Sequence, residues 1–259
     1  MRFAFTPLHR GGEGAPLLLL HGFTDTWRTW ELVLPRLERR HTVLAPTLAG
    51  HTGGPPLDGA PTETALVEAV ERLLDEERLE TVDVAGNSLG GYVALQLAAR
   101  GRARSVVAFA PAGDEEVSRE TLPYFRSIRR VLERSAGMAD RVVATPEGRR
   151  AATRDLTVRF EHIPAELIAH QLVGAARCPA ALPLIERGER GGWPLDASRV
   201  TCPVRIVWGA EDRLLPWPAA ADRWLRELPQ AELVVLDGVG HCPQLDVPPE
   251  AAELILGFL

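Results

Sequence analysis

The chain of 259 residues is 46% hydrophobic and 25% charged, a composition that fits an ordinary globular protein and excludes a disordered or membrane-embedded one. A formal net charge of −6 without any basic block argues against nucleic acid as a partner, because duplex binding needs a concentrated basic face. All 29 basic residues counted as Lys+Arg are arginines, which rules out Schiff-base chemistry and a phosphate-holding lysine.

At the N-terminus, Met1 to Gly14 lacks the long apolar core of a signal peptide, and the run Leu17 to Leu20 is too short to cross a bilayer. The expectation is a cytoplasmic protein with no membrane partner. Cys178, Cys202 and Cys242 are too scattered for a zinc site, and their odd number suits a reducing compartment.

Short Val/Leu/Ile-rich runs follow one another along the chain: APLLLLHG from Ala15, HTVLAP from His41, TVDVAG from Thr81, SVVAFAP from Ser105, CPVRIVWG from Cys202 and AELVVLDG from Ala231. Helical spacing lies between or after them, at Trp27 to Arg39, Thr62 to Arg78, Leu89 to Arg100, Pro218 to Leu228 and Pro249 to Leu259. The alternation predicts an α/β fold, a mostly parallel sheet flanked by helices, with strands apolar enough to be covered on both faces. The rhythm breaks after Pro111. From Ala112 to Asp196 only helix-like pieces occur, chiefly Glu116 to Arg134 and Pro164 to Arg177, so an inserted helical cap over residues 112–196 is expected, with 1–111 and 197–259 forming the core. Such a cap would lie over the carboxyl ends of the strands, where open α/β sheets bind ligands. The sequence does not disclose an oligomeric state.

The sharpest local feature is Gly86-Asn87-Ser88-Leu89-Gly90, between a strand pattern and a helix pattern. A strand that turns straight into a helix forces its apex residue into an unfavourable conformation, and glycines on both sides remove the resulting clashes. The bend would lift the Ser88 hydroxyl beside the first free N–H groups of a helix, where a developing oxyanion can be stabilised. A serine hydroxyl needs a base that is itself oriented by a carboxylate, and both follow in order. Asp212 comes after the VRIVWG strand and His241 after the LVVLDG strand, so Ser88, Asp212 and His241 should converge on one sheet edge. Phe23, after the strand ending in Leu20, would add its backbone N–H to that of Leu89 as an oxyanion hole. Asp212 is preferred over Glu211 and Asp237 as the acid by its D-x-x-L-P context.

With these pieces in this order the chain resembles the α/β-hydrolase superfamily. HGF at His21, GNSLGG at Gly86, GAEDRLLP at Gly209 and GHCPQLDVP at Gly240 carry the likeness. The resemblance implies a serine hydrolase with no metal or organic cofactor, acting on a small-molecule carboxylic ester through an acyl-enzyme. Serine at the elbow sets the chain apart from haloalkane dehalogenases and epoxide hydrolases, which carry aspartate there, although HGFTDTW is similar to an epoxide-hydrolase stretch. The elbow also resembles hydrolases that cleave carbon–carbon bonds in ring-fission products, but Cys242 stands where those usually have tryptophan. A ligand-binding protein with little turnover is the rival of another class. In the last motif Asp246 replaces the usual glutamate and is read as structural.

Other residues carry weaker readings. Trp27, Asp25 and Trp217 are the candidates for substrate binding, with an exposed loop the equal alternative for Asp25. His21 is read as a brace for the oxyanion loop and His51 as part of a turn. Cys242 is read as a small half-buried packing residue, and Arg126, Arg129, Arg130 and Arg134 as a solvated helix face.

Overall fold

The structure is a computed structural model that describes residues 3–57, 59–113, 115–191 and 193–259. A seven-stranded sheet runs through it in the order β1-β3-β2-β4-β5-β6-β7, with β1 Leu8–Gly11, β2 Ala15–Leu20, β3 His41–Pro46, β4 Val82–Asn87, β5 Ala103–Phe109, β6 Val204–Gly209 and β7 Glu232–Leu236. Every pairing is parallel except β1 against β3.

Six of the strands coincide with the apolar runs. β1 does not, because the four residues LHRG include an arginine and a glycine and bury no continuous face. Its ladder to β3, with Leu8 opposite Pro46 and Gly11 opposite Val43, closes one edge of the sheet. At the other edge, β7 departs from the expectation of strands covered on both faces: Leu233 is 38% and Val235 37% exposed.

The period-two geometry of a strand divides the core. Leu18 and Leu20 of β2 pack with Leu66, Val67 and Val70 of the helix Glu63–Glu76 and with Val93 and Leu97 of the helix Leu89–Ala99. Leu17 and Leu19 face the opposite layer, against Trp30, Val33, Leu37 and the C-terminal helix Pro248–Leu256. Thr62 starts the first of these helices by accepting the Ala65 N–H on its hydroxyl at 3.1 Å. The continuous helix expected over Trp27 to Arg39 is instead two single turns, Trp27–Trp30 and Leu34–Leu37. Its apolar spacing is satisfied by this broken path because Trp30, Val33, Leu34 and Leu37 still face the sheet.

Between β5 and β6 the described chain is helical, with Glu115–Ser135, Ala139–Val143, Pro146–Thr153, Ala165–Arg177 and Ala181–Gly191. Leu167, Ile168, Leu172 and Val173 of the fourth of these pack with Val143 and Phe160 and with Cys242 and Leu245 of the core. On the far side of that helix, His170 is buried against Phe5, ring centroids 4.3 Å apart, and against Phe3 at 5.9 Å.

Burial lowers the pKa of His170 to about 4, with the charge of Arg28 adding to the effect. An unfolded histidine titrates near 6.5, so the unfolded chain takes up a proton that the folded chain refuses between those values. This contribution to stability is complete above about pH 6.5 and is lost as pH falls toward 4. Urea unfolding at pH 7 and pH 5 should therefore show a loss of stability on acidification that is smaller in His170→Phe. An equal loss in both proteins would contradict the assignment.

Candidate active site

Four loops leave the carboxyl ends of β2, β4, β6 and β7 and meet at one cavity of about 140 Å³. Gly22 to Asp25, Asn87 and Ser88, Leu214, and His241 with Cys242 supply its floor. The helical segment supplies its roof, in stripes of helical spacing: Phe125, Ile128 and Leu132 from one helix, Ile168, Leu172 and Ala175 from another.

Ser88 sits at φ 55° and ψ −117°, a positive-φ conformation that non-glycine residues rarely adopt. The bend is held by its neighbours: the Ser88 N–H donates to Phe109 O at 2.8 Å, and the Ser88 carbonyl accepts from the N–H groups of Tyr92 and Ala112, both at 3.0 Å. Glycine is required on both sides by space. A Cβ at Gly86 would stand 2.2 Å from Gly90 O, and one at Gly90 would stand 2.1 Å from Leu20 O. Among the described residues the Ser88 hydroxyl makes no hydrogen bond, which leaves it free to turn within the cavity.

Asp212 and His241 are a buried pair, 5% and 3% exposed, with His241 Nδ1 at 2.7 Å from Asp212 Oδ2. Asp212 Oδ1 accepts the N–H groups of Leu214 at 2.9 Å and Leu215 at 2.8 Å. Both carboxyl oxygens act as acceptors, so Nδ1 is the donor and Nε2 keeps a free lone pair. The structure thus brings Ser88 and His241 onto the wall of one cavity, with Asp212 behind the histidine.

The loop after β2 passes directly beside the serine, since a Cβ on Gly22 would lie 3.4 Å from Ser88 Cβ. His21 braces it: Nε2 accepts the Leu48 N–H at 2.8 Å, which puts the proton on Nδ1, 2.7 Å from Gly22 O. Burial, with the nearby His51 ring, holds the His21 pKa well below its usual value, and burial lowers His51 to about 4. Leu89 opens its helix, so its N–H has no intrahelical acceptor.

Three substrate-binding candidates separate here. Asp25 lines the cavity, where it accepts the Thr26 N–H at 2.8 Å and Gln171 Nε2–H at 3.1 Å. Burial raises its pKa to about 6, against the lowering effect of the hydrogen bonds from Thr26, Thr29 and Gln171. Trp27 and Trp217 are not among the residues lining the cavity. Trp27 turns outward to stack on His9 at 4.8 Å and to donate to Thr6 Oγ1 at 2.8 Å, and Trp217 packs toward Trp208 at 6.5 Å. Their loops border the pocket, but the two indoles are directed to partners outside it. Cys242 is buried rather than half-buried, and burial pushes its thiol pKa well above the usual value. None of Arg126, Arg129, Arg130 and Arg134 lines the cavity; Arg126 pairs with Glu189 at 2.8 Å and Arg129 with Glu133 at 2.8 Å.

Two more residues organise the site, Asn87, which was not singled out, and Asp246, which acts structurally as its motif position implied. Asn87 donates to His241 O at 2.9 Å and to Phe109 O at 3.2 Å, and accepts from Gln244 Nε2 at 3.1 Å, so it ties the serine bend to the histidine loop. Its place inside the elbow motif was the available signal. Asp246 accepts three backbone N–H groups: Gly240 at 2.6 Å and Val158 at 2.9 Å on Oδ2, and Arg159 at 2.7 Å on Oδ1.

The family described as the alpha/beta hydrolase family matches residues 17–254. This chain belongs to that family. It is similar to the epoxide hydrolase EphH of Mycobacterium tuberculosis, 32% identical over 76% of this chain and 95% of the relative. It is also similar to 2-hydroxymuconate semialdehyde hydrolase of Pseudomonas sp., 34% identical over 98% and 90%. A pimeloyl-[acyl-carrier protein] methyl ester esterase of Aromatoleum aromaticum is 33% identical over 92% and 96%. Among solved structures, a serine hydrolase involved in carbazole degradation shares the fold with a TM-score of 0.75 at 20% identity, covering 97% of this chain and 93% of that one.

Removing the Asp246 carboxyl strands three backbone donors, two of them on the segment that closes over the histidine loop. Only the Gly240 donor is fully buried, and one such donor left without a partner costs about 1–3 kcal/mol, while water can replace the carboxyl at the part-buried Val158 and Arg159 amides, so Asp246→Ala should lower unfolding stability in urea by about 1–3 kcal/mol. A loss below about 1 kcal/mol would mean that water or a shifted backbone replaces the carboxyl.

Proposed function

We propose that the protein is a serine hydrolase that cleaves small carboxylic esters through an acyl-enzyme. The observation that carries this reading is a strained serine and a carboxylate-oriented histidine sharing one largely apolar cavity. Ser88 Oγ attacks the ester carbonyl carbon and gives its proton to His241 Nε2. Asp212, hydrogen-bonded at Nδ1, keeps the imidazole in the accepting tautomer and stabilises it once charged. The oxygen of the tetrahedral intermediate takes hydrogen bonds from the N–H groups of Phe23 and Leu89. His241 then protonates the leaving alcohol, the ester C–O bond breaks, and water activated by His241 releases the acid from Ser88.

The cavity is comparable with an engineered site of about 150 Å³ that holds a benzene molecule, so the enclosed part of the substrate is a short acyl chain or a single small ring. The methyl ester esterase among the relatives supports the ester reading. A second reading, carbon–carbon cleavage, is favoured by the GNSLGG elbow and by the likeness to 2-hydroxymuconate semialdehyde hydrolase. Epoxide hydrolysis of the aspartate-nucleophile kind does not fit, because Ser88 occupies the elbow.

Hydrolysis of p-nitrophenyl butyrate should fall at least about a thousandfold in Ser88→Ala, with a fluorophosphonate label mapping to Ser88 in the unmodified protein. Equal rates in the two proteins would remove Ser88 from the mechanism. Across an acyl panel, kcat/KM should be highest for short chains and lower for laurate; a preference for laurate would show that the acyl chain does not sit in the enclosed cavity.

A further inference from the structure

Among the described residues that line the cavity, Asp25, Asp155, Tyr124, His241 and Cys242 are the titratable ones, and none is an arginine. The chain has no lysine. The two carboxyls of the wall are not equivalent. Asp155 accepts the Tyr124 hydroxyl and faces Arg154 Nε at 3.5 Å, so a cation stands beside it. Asp25 has only neutral donors, the Thr26 amide at 2.8 Å, Gln171 Nε2 at 3.1 Å and the Thr29 hydroxyl. It lies two residues beyond Phe23 of the oxyanion segment and reaches across to the helix Ala165–Arg177. A carboxylate entering so small and apolar a space would meet a like charge with no cation on the wall to offset it.

We propose that Asp25 is a specificity-determining residue, whose carboxyl turns away substrates with an acyl group ending in a carboxylate and admits neutral ones. The inference rests on the ester reading and narrows it to neutral acyl groups. It also sets this cavity apart from one built for a ring-fission acid such as a muconate semialdehyde. Because burial brings the Asp25 carboxyl to about 6, the discrimination grows as pH rises through that value. Of the other groups on the wall only Asp155 is a carboxyl able to give a dependence of this sign, and the Asp25→Asn variant separates the two. Gln171 and Thr29 do not titrate. Burial keeps the Cys242 thiol protonated, and burial with the Asp155 hydrogen bond keeps the Tyr124 phenol protonated. His241 acts on either substrate alike and cancels in a ratio.

The test compares two nearly isosteric esters, p-nitrophenyl 4-methylvalerate and mono-p-nitrophenyl succinate, on the whole protein. At pH 8 the neutral ester should have a kcat/KM at least about a hundredfold higher, and the ratio should shrink as pH is lowered to 5.5. Asp25→Asn keeps the size of the side chain and the acceptor for the Thr26 N–H. It should cut the ratio at pH 8 at least about tenfold, mainly through KM for the anionic ester, and abolish the dependence of the ratio on pH. An unchanged ratio in Asp25→Asn, or a ratio independent of pH in the unmodified protein, overturns the proposal while leaving the ester reading intact. Should neither ester be cleaved through Ser88, that reading fails, and the selection is then read from binding of 4-methylvaleramide and succinamate by ligand-observed NMR. A preference for the neutral amide that is lost in Asp25→Asn supports the role, and equal binding of the two overturns it.

Discussion

Ser88 is held at φ 55° by contacts that leave no room for a relaxed alternative, and the rest of the site is arranged around that residue. A backbone in such a region costs on the order of 1–3 kcal/mol, which the surrounding structure has to supply. It does so through main-chain hydrogen bonds at Ser88 and through two glycines packed so closely that a methyl group at either would meet a carbonyl oxygen near 2 Å. The gain is positional. A serine within the helix would point along the helix surface, and one within the strand would be buried between layers; only the bend sets the hydroxyl above the sheet, beside the first amides of the helix Leu89–Ala99.

The histidine has no comparable support from secondary structure. It stands in the loop between β7 and the single turn Pro243–Asp246, and what fixes it is a polar lattice. Asn87 holds the His241 carbonyl, Asp246 holds the Gly240 amide, and the Cys242 amide donates to Leu156 O at 2.9 Å. His162 adds a contact of 2.7 Å to Leu245 O. Three of these four links end on residues 156–162 or on the carboxyl that also binds them, and Leu156 itself lines the cavity. The segment that shapes the pocket and the loop that carries the imidazole are therefore one packed unit. Hydrogen bonds of 2.6–2.9 Å join the segment over the pocket to the loop that carries His241.

Sequence patterns exposed much of this arrangement, and the failures have physical causes. Parallel strands buried on both faces leave continuous apolar runs, so β2 to β6 were legible, whereas β1 was invisible because a four-residue edge strand with one partner needs no apolar face. Ser88, Asp212 and His241 were legible as a group because each lies within about five residues of a strand end. The assignment of Trp27 and Trp217 to the pocket failed because loop position specifies where the Cα lies but not which way an indole packs, and both rings found cover outside the cavity. The stripes at Phe125, Ile128, Leu132 and at Ile168, Leu172, Ala175 have helical spacing in the sequence. They were not recognised as a pocket wall because such a stripe reads the same whether it faces a core or an empty space.

Asp212 and Asp25 illustrate how environment separates groups of identical chemistry. Asp212 has two backbone amides on one oxygen and an imidazole on the other, so its negative form is fully solvated by fixed dipoles. Asp25 has one backbone amide, the Gln171 side-chain amide and the Thr29 hydroxyl, on the wall of a cavity that Phe, Ile and Leu side chains also line. One carboxyl is thereby held by fixed donors against His241, and burial raises the pKa of the other to about 6 on the cavity wall. The difference comes from which strand end each follows. The loop after β6 curls back and offers two of its own amides to Asp212, while the loop after β2 offers only that of Thr26 to Asp25. The backbone path after each strand thus decides how many fixed donors its carboxyl receives.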